Sequence, residues 1–218
     1  ESFEADHTYK EALRQYRRAM DTWPYLPEGW SKIGQMYLRT RQYTLAKLAF
    51  ERALQNQPQN ISLLNDLGVV FLYLGKPDQA ITKFEEALVL QPDYVVGIFN
   101  LALCQLVKKD KAAARQLLNR CLSLQPNHPR ALRETAYIEA EMRNYSNALQ
   151  LLESALVQAP EWPLIHYEAA AAAALIGQTE TAIAHLQKAE TMSAATEAYR
   201  FYQKPAFDKI RLTESGKA

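Results

Sequence analysis

The side chains best equipped for chemistry in this sequence are His7, His128, His166 and His185, the thiols of Cys104 and Cys121, and the charged doublets Glu85-Glu86 and Lys108-Lys109. None of them falls into a reactive pattern. The histidines show no paired ligand spacing. His166 and His185 could meet across one helical hairpin, but a zinc site needs further ligands, so the pair reads as structural. The two cysteines fit neither a disulfide framework nor a metal-ligand motif and read as small buried apolar residues. The doublets read as solvated helix and loop charges. There is no phosphate-cradling glycine loop, no nucleophile elbow and no helical two-histidine zinc motif. The expectation is a chain with no catalytic residues, no metal and no cofactor: not an enzyme, but a surface for recognition.

Composition narrows what that surface can recognise. The 218 residues hold 25 basic and 24 acidic side chains, a net charge of +1, and the segregation of charge along the chain is too weak to name a polyanionic partner. Nucleic acid and anionic membrane are therefore not expected as partners. No apolar run approaches the roughly 18 residues of a membrane span. The chain opens at Glu1, inside what reads as half a structural unit, so it is expected to be cut from a longer protein. Cellular location and oligomeric state are not readable from it.

The elements that would position such a surface are announced by a period. "FERALQNQPQN" from Phe50 returns as "FEEALVLQPDY" and, more loosely, as "LNRCLSLQPNH", while Pro24, Pro58, Pro92, Pro126 and Pro160 recur every 34 residues. A fixed period of this length is the mark of a repeat architecture. Within residues 27–60, Trp30, Ile33, Gly34 and Tyr37 have the spacing of one helix face, and Ala46, Phe50 and Ala53 that of a second. Each unit is thus expected to be a helix hairpin. A lone helix of this length is marginal, so stability must come from stacking on neighbouring units. Gly34, Gly68, Ala102, Ala136 and Ala170 stand where bulk would hold two helices apart. Gly75 and Gly177 suit a helix end that needs a positive backbone dihedral, and Pro77 suits a first helical turn.

Trp30, Ile33, Gly34, Tyr37, Ala46, Phe50 and Pro58 follow the W-x2-L-G-x2-Y…A-x3-F…P pattern, and the unit 61–94 repeats it with Leu64, Leu67, Gly68, Phe71, Ala80, Phe84, Ala87 and Pro92. In this the chain resembles the tetratricopeptide repeat family. The resemblance implies an all-α, right-handed superhelical solenoid of antiparallel helix hairpins. Five repeats are expected at 27–60, 61–94, 95–128, 129–162 and 163–196, preceded at 1–26 by the second helix of a truncated unit. Residues 197–218 are expected to form a capping helix and tail, with Tyr199, Phe201 and Phe207 covering the last repeat.

In the family, the first helix of each unit lines a concave groove, with the second, fifth, sixth, ninth and thirteenth residues pointing into it. Carried over to this chain, the resemblance makes Asn65, Val69 and Tyr73, then Phe99, Asn100 and Leu103, then Arg130, Arg133 and Tyr137, and finally Tyr167 the partner-binding residues. Aromatic anchors, arginine forks and amides are the usual composition of a binding surface. Phe99, Tyr137 and Tyr167 are expected to anchor apolar groups, and Arg130 and Arg133 to fix acidic ones. The lysine and asparagine clamp that some members use on acidic chaperone tails is missing, since the matching positions hold Ser31 with Gln35 or Asn65 with Val69. The implied function is a non-catalytic scaffold that binds a peptide segment or helix of a partner protein. Competing readings are a regulatory module of a larger enzyme or of an assembly or secretion machine, and, opposed by the period and the neutral charge, an RNA-binding helical repeat.

Overall fold

Short turns and well-placed start signals divide the chain into helix pairs. The computed structural model describes residues 28–192 together with Arg14, Arg18 and Thr22, which are helical. The expected terminal cap at Tyr199, Phe201 and Phe207 lies outside the described residues, as does the rest of the N-terminal half unit. Residues 28–192 hold ten helices, and no strand occurs among the described residues. The chain forms two compact units, Glu1–Leu117 and Leu118–Ala218. The first contains α1 (Gly29–Arg39), α2 (Tyr43–Asn56), α3 (Ile61–Tyr73), α4 (Pro77–Leu90) and α5 (Val95–Val107). The division falls inside α6 (Lys111–Leu124), and the second unit continues with α7 (Pro129–Glu141), α8 (Tyr145–Gln158), α9 (Pro163–Leu175) and α10 (Thr179–Met192).

Local sequence sets the helix starts. Pro77, Pro129 and Pro163 open their helices, where a missing N–H costs nothing. Asn60 Oδ1 accepts from the amide of Leu63 at 3.1 Å, an N-cap worth about 1 kcal/mol. His128 does the same for Ala131 through Nδ1 at 3.1 Å; its pKa is lowered, chiefly by burial.

The turn inside each hairpin is the same five times over. Arg41, Gly75, Lys109, Arg143 and Gly177 all have positive φ, between 58° and 80°. The next residue donates its amide back across the turn, as in Gln42 to Tyr37 at 2.8 Å, Lys76 to Phe71 at 2.9 Å and Asn144 to Glu139 at 2.9 Å. This is the Schellman closure of a helix C-terminus. Gly75 and Gly177 behave as their sequence predicts. The other three residues take the same conformation without glycine's freedom.

Packing inside each unit follows from complementary sizes. A Cβ added to Gly34 would lie 2.7 Å from the Phe50 ring, and one added to Gly68 would lie 2.5 Å from the Phe84 ring. Both phenylalanines are fully buried. In the second unit, leucine replaces phenylalanine and alanine replaces glycine: Ala136 with Leu152, and Ala170 with Leu186, share one buried cluster. The thiols of Cys104 and Cys121 are buried, and burial pushes that of Cys104 up to about 12, so both act as small apolar residues.

Candidate partner-binding surface

The first helices of the hairpins carry the residues expected to meet a partner, and their fifth positions do not point outward. Asn65, Phe99, Arg133 and Tyr167 share that position, and each is buried or engaged within the fold. Phe99 and Tyr167 are 3% and 2% exposed. They are core residues, and the apolar anchoring expected of them has no area to act through. Asn65 is buried too, and its Oδ1 accepts from Asn100 Nδ2 at 2.8 Å, tying α3 to α5. That bond uses one donor of Asn100 and the acceptor of Asn65.

Arg133 is likewise engaged within the chain. Its Nε and Nη2 donate to the two oxygens of Glu168 at 2.8 and 2.6 Å, and Nη1 donates to Glu134 at 2.9 Å. A bidentate fork of this kind is the strong form of the pair. The sequence places Arg133 to receive an acidic group, but two carboxylates of the chain itself already hold it. Burial raises Glu134 above its ordinary pKa against the lowering effect of Arg133, and the charge of Glu168 adds to the rise. Arg130 is exposed at the start of α7.

The ninth and thirteenth positions do face outward. Val69 and Leu103 are half-buried. Tyr73 is 60% exposed and stacks on Tyr43, with ring centroids 4.8 Å apart and planes within 3°. Tyr137 is 47% exposed, and its hydroxyl donates to Glu141 at 2.9 Å. Nearby, Asp66 accepts from Gln35 at 3.5 Å, and burial raises its pKa against the effect of that bond.

In the second unit these outward positions border a cavity of about 150 Å³. Ala136, Tyr137 and Ala140 of α7, Tyr145, Ala148 and Leu152 of α8, and Ala171, Ala172 and Leu175 of α9 form its apolar wall, with Glu168 as the charged member. Of the expected site residues only Tyr137 lines it. Glu168 and Ala171 stand at the sixth and ninth positions of their unit, which the family pattern turns into the groove, whereas Tyr145 opens a second helix and carries no such signal.

The histidine pair forms on the other side of α9. His166 Nδ1 lies 2.9 Å from His185 Nδ1, and His166 Nε2 lies 3.0 Å from the carbonyl of Pro160. A carbonyl only accepts, so His166 carries its proton on Nε2 and receives one from His185 Nδ1. Among the described residues no group of three or more metal-ligating side chains occurs. Burial, helped by the neighbouring His166 and Lys188, lowers His185 to about 4.

No curated protein is significantly similar to the chain in sequence. Among solved structures, PilF of Pseudomonas aeruginosa superposes with a TM-score of 0.77 at 19% identity, covering 93% of this chain and 92% of that one. PilW, a type IV pilus biogenesis factor, gives 0.75 at 17% identity, with 96% and 93% covered. A thermophilic tetratricopeptide repeat protein of Thermus thermophilus gives 0.66 at 20% identity, with 80% and 96% covered. At these identities the likeness is one of fold. Among the described residues no helix is long and apolar enough to cross a membrane. The tetratricopeptide repeat model matches residues 3–61, 65–129 and 133–198, and with the repeated hairpins, the glycine–phenylalanine packing and the shared turn already in view, the chain belongs to the tetratricopeptide repeat family.

Proposed function

We infer that the chain is a non-catalytic scaffold which holds a peptide segment or helix of a partner protein against the first helices of its repeats. The observation that carries this reading is an exposed tyrosine held by a neighbour on a first helix of each unit, Tyr73 of α3 stacked on Tyr43 and Tyr137 of α7 bonded to Glu141. An aromatic ring already fixed by a stack or a hydroxyl bond gives contact area with little further loss of side-chain freedom on binding. Within the first unit Val69 and Leu103 offer half-covered apolar surface, and within the second Arg130 offers an exposed charge. The Asn65–Asn100 pair ties α3 to α5 in the first unit, and the Arg133–Glu168 fork ties α7 to α9 in the second. Partner recognition thus rests on the ninth and thirteenth positions, with the fifth as scaffolding.

Affinity capture followed by mass spectrometry identifies a partner, and two double variants then test the face. Tyr73→Ala with Tyr137→Ala is expected to weaken capture at least about thirtyfold, the effect of losing roughly 2 kcal/mol from anchor residues. Glu85→Ala with Val157→Ala, both exposed on second helices, is expected to leave capture unchanged. Loss in the second variant alone would move the binding face to the second helices.

A further inference from the structure

The cavity between α7, α8 and α9 is a property of the second unit's small residues. Its counterpart between the first two hairpins of the first unit carries Leu38 where the second unit has Ala140, Phe50 for Leu152, Val69 for Ala171, and the stacked Tyr43 and Tyr73 for Tyr145 and Leu175. The fold needs no space at this place, since larger side chains occupy it in the same framework. A cavity of about 150 Å³ has room for a benzene-sized group, and this one, open on one side, is lined by alanines, leucines and two tyrosines, with Glu168.

The charged residue lining the cavity is a carboxylate, and the charges linked to it are three carboxylates and two guanidiniums, Arg133 on Glu168 and Glu134, and Arg130 near enough to Glu134 to lower its pKa. Glu168 lines the cavity, Glu141 receives the hydroxyl of Tyr137, and Glu134 shares the Arg133 guanidinium with Glu168. Glu134, Glu141 and Glu168 stand against Arg130 and Arg133, so one negative charge is left over and the local balance favours an incoming cation over an incoming anion. We propose that this cavity takes an apolar side chain of a partner segment in which a lysine or arginine stands beside that side chain. The proposal rests on the peptide-binding reading above. It reverses the acidic partner that Arg130 and Arg133 imply when read from sequence alone.

A phage-displayed library of short random peptides, selected on the whole chain, tests it. The expected enrichment is a leucine, methionine or aromatic residue within one or two positions of a lysine or arginine. Binding of an enriched synthetic peptide is expected to fall about tenfold or more in Ala140→Leu with Ala171→Leu. These changes install the side chains that the first unit carries as Leu72 and Leu103, so the fold has a precedent for both. Glu168→Gln, which keeps a hydrogen-bonding partner for Arg133, is expected to weaken the basic peptides and leave their neutral analogues unchanged; added salt should act on the same peptides.

Enrichment of apolar residues beside aspartate or glutamate, still lost on filling the cavity, would overturn the charge assignment while leaving the peptide-binding reading intact. Basic peptides that bind the filled variant as well as the parent, yet fail on Tyr73→Ala, would overturn the cavity as their site. Peptides displaced only by Glu85→Ala with Val157→Ala would overturn both readings. A library with no enrichment of basic–apolar peptides would overturn the proposal.

Discussion

The two units solve one packing problem with different pairs of residues. In the first, Gly34 and Gly68 let Phe50 and Phe84 lie directly against a helix backbone; in the second, Ala136 and Ala170 meet Leu152 and Leu186 within one cluster. The sum of sizes at the seam is maintained, but the area above it is not. Leucine is shorter than phenylalanine, and with Ala140 and Ala171 nearby the second unit keeps an open cavity where the first carries a tyrosine stack. Interiors are packed to nearly crystalline density, so a seam can be rebuilt with different residues only as a pair. A face turned to solvent is under no such constraint, and it is there that the units diverge.

The largest expected difference between the units is their response to acid. The His166–His185 pair belongs to the second unit and holds one proton between two facing Nδ1 atoms. The folded pKa of His185 is about 4, below the value of about 6.5 for a free imidazole. Between those values the unfolded chain binds more protons, so stability is full above about pH 6.5 and is lost as pH falls toward 4, on the order of 2–3 kcal/mol. His166 is lowered too, chiefly by burial, and shifts in the same sense. Glu153 of α8, 4.0 Å from His185 Nε2, is the nearby acidic group, while Lys188 opposes protonation. Glu134, raised by burial, works in the opposite direction, as does Asp66 in the first unit. Hydrogen exchange corrected for intrinsic rates should therefore show α9 and α10 losing protection between neutral pH and about pH 5 while α3 and α4 keep theirs. His185→Gln, which still donates to His166, should remove most of that difference. Parallel loss in both hairpins would show that the histidine pair does not set the acid response.

A second comparison concerns the seams. Gly68→Ala brings a methyl group against the Phe84 ring and should cost about 2 kcal/mol by overpacking. Phe84→Leu alone should also destabilise, by removing buried ring atoms. Together they reproduce the alanine–leucine pair of the second unit, so the double variant is expected to be more stable than the sum of the two losses predicts, by at least about 0.5 kcal/mol. Urea denaturation of the four chains measures this coupling. Strict additivity would mean that the two seams are not equivalent solutions.

These seams were legible in the sequence because they obey the period: Gly34, Gly68, Phe50 and Phe84 recur at matched positions, and helix spacing directs them inward. The outward surface was less legible. Asn65, Phe99, Arg133 and Tyr167 look like recognition residues by type, yet the fifth position turns toward the neighbouring hairpin. The signal was present in the spacing. Asn65 with Asn100 and Arg133 with Glu168 are both separated by one period plus one residue, and each is a chemically complementary pair. Read singly, their members offer bonds to a partner; read together, they bond each other across neighbouring hairpins. The cavity was not legible at all, since an alanine that completes a seam and one that leaves space above it are identical in sequence.

The smallest expected effect is at the hairpin turns, where the units can be compared position for position. Gly75 and Gly177 have φ of 70° and 80°, and nothing lies within 4 Å of a Cβ added to either. Arg41, Lys109 and Arg143 adopt φ of 58°, 63° and 64° at the same point, and the carbonyl across the turn is bonded in each. The left-handed conformation costs a residue with a Cβ about 1–2 kcal/mol, and glycine escapes that cost while losing more backbone freedom on folding. The net gain from Arg143→Gly or Lys109→Gly should therefore be about 0.5–1 kcal/mol, and Gly75→Ala should lose a similar amount. All three residues are exposed, so the substitutions leave the core untouched. A rise in urea midpoint at unchanged slope for Arg143→Gly, with a fall for Gly75→Ala, is the expected result. Should Arg143→Gly lower the midpoint instead, contacts of the arginine side chain would outweigh its backbone strain, and the turns of the five hairpins would share a shape without sharing its energetic origin.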